Sequence, residues 1–216
     1  MAKKHDPDAF HTESGFLVRF IEKRRVDAIK RNLDALPTDR VLEVGCGAGN
    51  IIEGIDARIV GVDLSSHLLS KAKKRLPSGT VELVRADGEA VPFQDHSFDR
   101  VICSEVLEHV LHPENVIAEI ARLLKPGGTA VITIPNEAKI DMAKRLMSKL
   151  RLNRILPGMR YNMPGAGENE WHLHHYDLKI AKEQLSPYLR ILKIQPIPVR
   201  LMPLHYVIKC SQRTCH

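Results

Sequence analysis

The chain has 216 residues, 44% of them hydrophobic, which is enough to fill the core of one globular domain. Its formal net charge of +6 favours anionic partners in general, but the charge is modest and spread along the chain, so it does not by itself indicate nucleic acid, which we do not expect as a partner. There is no apolar leader segment and no run of 18 apolar residues, so we expect a cytoplasmic protein with reduced cysteines.

The first predicted element is a helix over residues 16–36, which Pro37 ends. Apolar residues recur along it at helical spacing, at Leu17, Phe20, Ile21, Val26, Ile29, Leu33 and Leu36. We expect this apolar face to pack on a sheet.

A short aliphatic strand, residues 40–44, then runs into a glycine-rich turn with Gly45, Gly47 and Gly49. Alternate glycines allow a tight turn and a close approach of the backbone to a ligand. We expect a helix over 49–56 to follow, with its N-terminus facing that ligand. A dinucleotide fingerprint would need a third glycine where this chain has Asn50, so a nicotinamide cofactor is not expected.

Strands and helices alternate over the next part of the chain. Strands are predicted at 40–44, 59–63, 81–85, 98–103 and 128–134, and helices at 49–56, 66–76 and 113–124. This alternation predicts a mostly parallel sheet with right-handed crossovers. Ligands of such sheets bind at the carboxyl ends of the strands, where the glycine turn, Asp63, Asp87 and Glu105 fall.

Residues 135–176 separate the fifth strand from a helix predicted at 177–189, and strands at 190–197 and 205–211 follow. A connection of this length is typical of a functional lid. Basic and apolar residues interleave over 139–156 as in an amphipathic helix. Such a helix can cover a lipid-like acceptor, contact an anionic membrane surface, or pack on its own domain with a solvated basic face.

Five motifs follow one another in the order found in class I S-adenosylmethionine (SAM) dependent methyltransferases, and the chain resembles the type 11-like members of that family. They are Leu42 to Gly49, Gly61-Val62-Asp63-Leu64-Ser65, Ala86-Asp87-Gly88-Glu89, Phe98 to Cys103, and Leu124-Lys125-Pro126-Gly127-Gly128. The resemblance covers residues 40–134. It implies an α/β, Rossmann-like, seven-stranded and mostly parallel sheet with helices on both faces and a C-terminal antiparallel hairpin.

The same resemblance implies one domain over residues 1–216. Its parts are an N-terminal helix at 16–36, a SAM-binding core at 40–134, a lid or substrate insertion at 135–176, and a closing helix and hairpin at 177–211. SAM would be the methyl donor, and the acceptor would be a small or lipid-like molecule.

The resemblance assigns ten residues to the SAM site: Glu43, Gly45, Cys46, Gly47, Gly49, Asp63, Leu64, Asp87, Gly88 and Glu105. Glu43 would hold the amides of the glycine turn or the ammonium of the ligand. Asp63 would accept both ribose hydroxyls, Leu64 would pack on the adenine, and Asp87 would bind the adenine amino group. Helix capping and turn formation are the alternative explanation for the two aspartates.

Catalysis is harder to assign because methyl transfer depends mainly on orientation, and His109 and His172 are candidates for a base or a substrate contact. Glu105, Glu108 and His109 have the E-x-x-E-H spacing of metal-dependent small-RNA 2′-O-methyltransferases, and on a helix they would share one face. His172, His174 or His175 would then be a fourth ligand. Ordinary hydrogen bonding explains the pattern without a metal, and no metal is expected.

We therefore expect methyl transfer to a small or lipophilic acceptor at oxygen. One alternative is an RNA 2′-O-methyltransferase with a divalent metal. The other is a SAM-binding or interaction module without catalysis.

Overall fold

The computed structural model describes residues 16–77, 79, 81–149, 173 and 176–213. The strands are β1 (Arg40–Val44), β2 (Arg58–Asp63), β3 (Val81–Arg85), β4 (Phe98–Ser104), β5 (Leu124–Pro135), β6 (Leu189–Val199) and β7 (Met202–Gln212). The helices are α1 (Phe16–Leu33), α2 (Ser66–Arg75), α3 (Pro113–Leu123), α4 (Glu137–Lys149) and α5 (Leu178–Leu185).

The seven strands form one sheet in the order β3-β2-β1-β4-β5-β7-β6. The first five strands pair in parallel, whereas β7 is antiparallel to both of its neighbours. In the sheet, β2 and β3 lie on one side of β1, and β4 and β5 lie on the other side. Strand order therefore reverses between β1 and β4, and the carboxyl ends of these two strands lie side by side at that point. The predicted fold class is confirmed.

Helices cover both faces of the sheet, so the central strands are apolar on both sides. Within β4, Val101 belongs to the hydrophobic cluster that includes α3 and α5, and Ile102 belongs to the cluster that includes α1 and α2. Packing of α1 on the second face brings residues of that helix to the carboxyl ends of β4 and β5, as the hydrogen bond of Arg25 to Ser104 shows.

The helix predicted over 49–56 is wrong, because the structure has successive turns there. Gly49 and Gly54 have φ values of +81° and +73°, which an α-helix cannot contain. No helix N-terminus therefore follows the glycine turn in this described part of the chain. Other element boundaries differ less from the predicted ones. Helix α1 ends at Leu33, three residues before the predicted end, because Asp34 has a left-handed backbone with φ +49°.

The predicted amphipathic helix over 139–156 is described only in its first part, where α4 ends at Lys149. Its apolar residues Met142 and Leu146 are about half exposed. In the described ranges, no helix is both long and apolar enough to cross a membrane.

Candidate active site

The turn between β1 and β2 begins with three glycines in left-handed backbone conformations. The φ angles are +71° at Gly45, +53° at Gly47 and +81° at Gly49. A Cβ atom at Gly45 would lie 2.4 Å from Cγ2 of Val106, so a side chain at this position would overlap the segment after β4. The glycines thus allow the turn to lie close to the end of β4.

The turn is anchored to β2 through its amides. The Gly45 and Cys46 amides both donate to the carbonyl of Val62, at 2.8 and 2.9 Å. Glu43 therefore does not accept from these two amides, and its expected contact with the ammonium of the ligand stays a prediction. Because the acceptor belongs to β2, these hydrogen bonds hold the turn next to the carboxyl end of β2.

Asp63, the last residue of β2, connects the turn to α2. Its Oδ2 accepts from the Gly47 amide at 2.8 Å, and its Oδ1 accepts from the Ser65 amide at 2.8 Å. Ser65 is in turn the N-cap of α2. Asp63 therefore has the turn-forming role. Because each carboxylate oxygen has two lone pairs, both of its oxygens can still accept a hydrogen bond from a ligand hydroxyl.

Asp87 and Gly88 lie after β3 beside the end of β1. A Cβ atom at Gly88 would be 2.9 Å from Cγ1 of Val44. Oδ1 of the exposed Asp87 accepts from the Glu89 amide at 2.9 Å, which is again a turn-forming contact. Leu64 is 62% exposed, and an exposed leucine next to Asp63 is a suitable surface for a flat aromatic ring.

A cavity of about 180 Å³ opens beside the glycine turn. It is lined by Arg25, Val26, Cys46, Gly47, Ala48, Asn50, Ile51, Leu68, Ser104 and Glu105. Cys46, Gly47 and Glu105 were predicted as site residues, whereas Arg25 was not. The Cys46 thiol is buried, and burial together with the nearby Glu43 and Asp63 raises its pKa far above the usual range, so it remains protonated.

Arg25 is a buried cation at the wall of this cavity. Its Nη1 donates to Ser104 Oγ at 2.5 Å, and its Nη2 donates to Glu22 Oε2 at 2.6 Å. Burial alone would lower the pKa of Arg25, but the charges of Glu22 and Glu105 outweigh it and the pKa is raised. Nε of Arg25 is buried, with no hydrogen-bond partner among the described residues. A charged guanidinium with a remaining donor thus borders the cavity.

Glu105 follows β4 with φ +54°, a conformation that non-glycine residues rarely adopt. Its Oε1 accepts from Thr133 Oγ1 at 2.8 Å, and its Oε2 lies 3.1 Å from His205 Nδ1. Burial would raise the pKa of Glu105, but His205 and Arg25 lower it more, so that the pKa lies well below its usual range. Glu105 is therefore a carboxylate at neutral pH.

Glu43 and Glu108 show the opposite behaviour, since each is only 1% exposed. Burial is the main cause that raises the pKa of both carboxyl groups well above the usual range. Within the described part of the chain, Oε2 of each has no hydrogen-bond partner. Both carboxyl groups therefore favour the protonated form far more than an exposed glutamate does, and the charge of Glu105 adds to this at Glu108.

The predicted convergence of Glu105, Glu108 and His109 on one helix face is wrong. Residues 105–109 form a bend and a turn, in which Glu108 is buried and His109 is exposed. No group of three His, Cys, Asp or Glu side chains that could hold a metal ion occurs in the described ranges. The candidates His172, His174 and His175 lie outside those ranges, but Leu173 donates its amide to the Glu108 carbonyl at 2.8 Å, so the insertion does return to this point.

A second, larger cavity of about 500 Å³ lies between α4 and the start of α5. It is lined by Glu137, Ala138, Asp141, Met142, Arg145, Tyr176, Asp177 and Ile180. Tyr176 is buried, and its hydroxyl donates to Gln184. Because α4 follows the carboxyl end of β5, this cavity lies at the same edge of the sheet as the glycine turn.

Comparison with known proteins identifies the family. The family model described as "Methyltransferase domain" matches residues 42–132. The ubiquinone biosynthesis O-methyltransferase of Xanthomonas campestris pv. campestris (strain B100) is 32% identical over 167 residues, which are 74% of this chain and 64% of that protein. The protein of the same name from Xanthomonas oryzae pv. oryzae (strain PXO99A) is 31% identical over 177 residues, which are 79% of this chain and 68% of that protein.

A solved methyltransferase structure has the same fold. The crystal structure of an S-adenosylmethionine dependent methyltransferase from Mesorhizobium loti matches with a TM-score of 0.67 at 17% identity, over 88% of this chain and 98% of that one. The match to the first relative spans 64% of its length, so the likeness concerns the shared domain. Together with the glycine turn at the carboxyl edge of the sheet, these matches show that the chain belongs to the class I SAM-dependent methyltransferases, enzymes whose methyl donor is SAM.

Proposed function

We propose that the protein transfers a methyl group from SAM to an oxygen atom of a small or lipophilic acceptor. The observation that carries the proposal is the arrangement of the glycine turn, Asp63 and Arg25 around one edge of the sheet. The division of residues 1–216 into one domain, with a lid at 135–176, stays a prediction.

The residues of the site fit the chemistry of SAM in three places. The glycine turn offers a surface where an added Cβ at Gly45 would overlap Val106, so only a bare backbone fits there. Asp63 can accept from the ribose hydroxyls with its remaining lone pairs. The exposed Leu64 beside it can pack on the adenine, and Asp87 lies after the next strand, where it can accept from the adenine amino group.

The amino-acid tail of SAM requires a cation for its carboxylate and an acceptor for its ammonium. Arg25 is the charged donor that lines the cavity beside the glycine turn, and of its five N–H groups Nε and one on Nη2 have no acceptor among the described residues. Glu105 lines the same cavity as a carboxylate and can accept from the ammonium. Guanidinium and carboxylate groups recognise opposite charges with charge-assisted hydrogen bonds, and these two differ in sign.

When bound, SAM supplies a methyl group on a positively charged sulfur, which is already activated for in-line displacement. What remains for the protein is to orient the acceptor and exclude water. Glu105 and Arg25 are pinned by Thr133, His205 and Ser104, so their positions are set before any ligand enters. His109 and His172 stay candidates for the base that removes the acceptor proton.

The larger cavity supports a separate acceptor site. It is bordered by Met142, Ile180 and the ring of Tyr176, with carboxylates and Arg145 around them. The names of the Xanthomonas relatives refer to oxygen methylation in ubiquinone biosynthesis, which favours a hydroxylated aromatic acceptor that carries an apolar chain. Contact of α4 with an anionic membrane stays a prediction, which co-sedimentation with vesicles of anionic or neutral lipid would check.

The cofactor part of the proposal is tested by titration calorimetry with SAM and with its product S-adenosylhomocysteine (SAH). Asp63→Ala removes the acceptor for the ribose and the Gly47 amide, and we expect its affinity to fall roughly 30-fold or more. The exposed Asp56 follows the same turn, and Asp56→Ala is the matched control with unchanged affinity. Absence of SAM and SAH binding by folded wild-type protein would refute the proposal.

The acceptor part is tested by measuring SAH formation from SAM with hydroxylated aromatics of increasing chain length, in Mg²⁺ and in chelator. Met142→Glu places a charge in the wall of the larger cavity and should raise KM for apolar acceptors roughly tenfold, with SAM affinity unchanged. Leu146→Glu is the control, because it adds the same charge one turn further along α4, at a residue that does not line the cavity. Binding of SAM without turnover on any acceptor would favour the non-catalytic alternative instead.

A further inference from the structure

We propose that Glu22 is a built-in competitor of the SAM carboxylate for Arg25 and thereby limits the affinity for SAM and SAH. The inference rests on the proposed function, because it assumes that the carboxylate of the cofactor binds Arg25. It concerns a residue outside the five family motifs, on the N-terminal helix α1.

Glu22 and Arg25 lie one turn apart on α1, and their side chains are both largely buried. Glu22 Oε2 accepts from Arg25 Nη2 at 2.6 Å, which is a short, charge-assisted hydrogen bond. Among the described residues, Arg25 is the sole hydrogen-bond partner of the Glu22 side chain. A single contact thus holds this carboxylate on the guanidinium that lines the cavity.

The second carboxylate near Arg25 is bound differently. Glu105 lies 3.9 Å from Arg25 Nη1, on the side of the guanidinium that also contacts Ser104 and Thr133. Thr133 and His205 hold Glu105 in place independently of Arg25. Of the two carboxylates, Glu22 is therefore the one that can be displaced.

A carboxylate that enters the cavity meets Glu22 as a like charge on the same guanidinium. Two carboxylates close together repel each other, and a guanidinium pairs best with one carboxylate through two parallel hydrogen bonds. Binding of the cofactor tail therefore requires Glu22 to move away or to tolerate the repulsion. Either cost weakens the binding of SAM and accelerates the release of SAH.

The test compares SAH with methylthioadenosine, which has the same nucleoside but no amino-acid tail. Glu22→Gln keeps the size of the side chain and removes its charge. We expect its Kd for SAH to fall roughly three- to tenfold, with an unchanged Kd for methylthioadenosine, as measured by titration calorimetry. SAH carries no net charge, so a general field effect of the substitution is small.

Asp27→Asn is the matched control, because it removes one negative charge from the same helix at a residue that is paired with Lys23 on the exposed side. Its affinities for both ligands should equal those of the wild type. In Arg25→Gln the SAH affinity should fall, and adding Glu22→Gln should bring no further gain. If the Arg25 variants do not fold, the Glu22→Gln comparison of the two ligands still decides.

The outcomes separate the two proposals. Wild-type protein that binds SAH, with Glu22→Gln giving the same affinity, overturns the competition but leaves the cofactor site intact. An equal gain for SAH and methylthioadenosine also overturns it, because the effect would not act through the tail. A folded wild-type protein that binds neither ligand overturns the cofactor proposal and this inference with it.

Discussion

At the scale of single residues, Glu105 combines an uncommon backbone conformation with a closely held side chain. Its φ of +54° costs free energy in a residue with a Cβ atom, on the order of 1 kcal/mol. Thr133, His205 and Arg25 all contact its carboxylate and hold it in this conformation. A charged group beside the cavity is thereby positioned in advance of any ligand.

The glycine turn allows a direct comparison of two causes of strain. Gly45→Ala should destabilise the protein by roughly 2–4 kcal/mol, because it combines a left-handed φ with an overlap against Val106. Gly47→Ala should cost only about 1 kcal/mol, since no described atom lies within 4 Å of the added Cβ. Denaturant unfolding of both variants gives the difference. Equal losses would show that the Val106 contact is easily relieved.

Sequence reasoning pointed to some of the residues at the glycine turn and its cavity and missed others, for identifiable reasons. The turn glycines and Asp63 follow from their spacing after strands. Arg25 was missed because it interrupts the apolar pattern of its helix, although it lies four residues from both Ile21 and Ile29 and so shares their face. The charge states of Glu105 and Glu108 depend on partners distant in sequence, which no local pattern contains.

At the scale of elements, the N-terminus of α5 lies next to the larger cavity and ends the insertion. Asp177 caps this helix, because its Oδ1 accepts from the amides of Lys179 and Ile180 at 2.7 and 2.8 Å. The preceding Tyr176 is buried in the core, so the helix start and the cavity wall are connected. The cap therefore holds one side of the proposed acceptor site in place.

Asp177→Ala should destabilise the protein by about 1 kcal/mol, because two helix amides lose their acceptor. Asp177→Asn keeps an acceptor oxygen and removes the charge, so its stability should be close to that of the wild type. Thermal unfolding and SAH titration of both variants check this, and SAH affinity should not change in either. A loss in Asp177→Asn as large as in the alanine variant would assign the effect to charge and not to the cap.

The elements of the sheet were predictable because each central strand is a short apolar run between turns. The turn at 49–54 was not, since Ile51 and Ile52 suggest a helix whereas the glycines on either side have left-handed backbones. Strand β5 begins at Leu124, immediately after α3, because Leu124 pairs with Phe98 across an irregularity in the ladder. Such pairing is a tertiary effect and is absent from the local sequence.

At the scale of the whole molecule, buried glutamates at the site impose opposite dependences of stability on pH. The folded-state pKa of Glu43 and Glu108 is raised, mainly by burial. The folded protein therefore binds more protons than the unfolded chain. The contribution of these two groups to the free energy of unfolding decreases as pH rises above about 4.5. The lowered pKa of Glu105 acts in the other direction, and its contribution is lost as pH falls below about 4.

Glu43→Gln should therefore make the protein more stable at neutral pH. In the wild type, the raised pKa of Glu43 lowers the free energy of unfolding by as much as about 1.4 kcal/mol per pH unit above about pH 4.5, and the substitution removes this loss. Denaturant unfolding at a series of pH values should show a flatter curve for this variant and no change for Glu82→Gln, at an exposed position of β3. Parallel curves for Glu43→Gln and the wild type would mean that Glu43 is ionised in the folded protein.

The position of β7 has a consequence for the order in which the chain can fold. The last strand in sequence lies between β5 and β6, so β6 is made first but has no neighbour in the sheet until β7 is complete. Strand β6 can therefore join the sheet only together with β7 or after it. His205, which lies on β7 and touches Glu105, arrives only when β7 joins the sheet. Until then the newly made chain has an uncovered edge along β5, and we expect this interval to be when it depends most on chaperones.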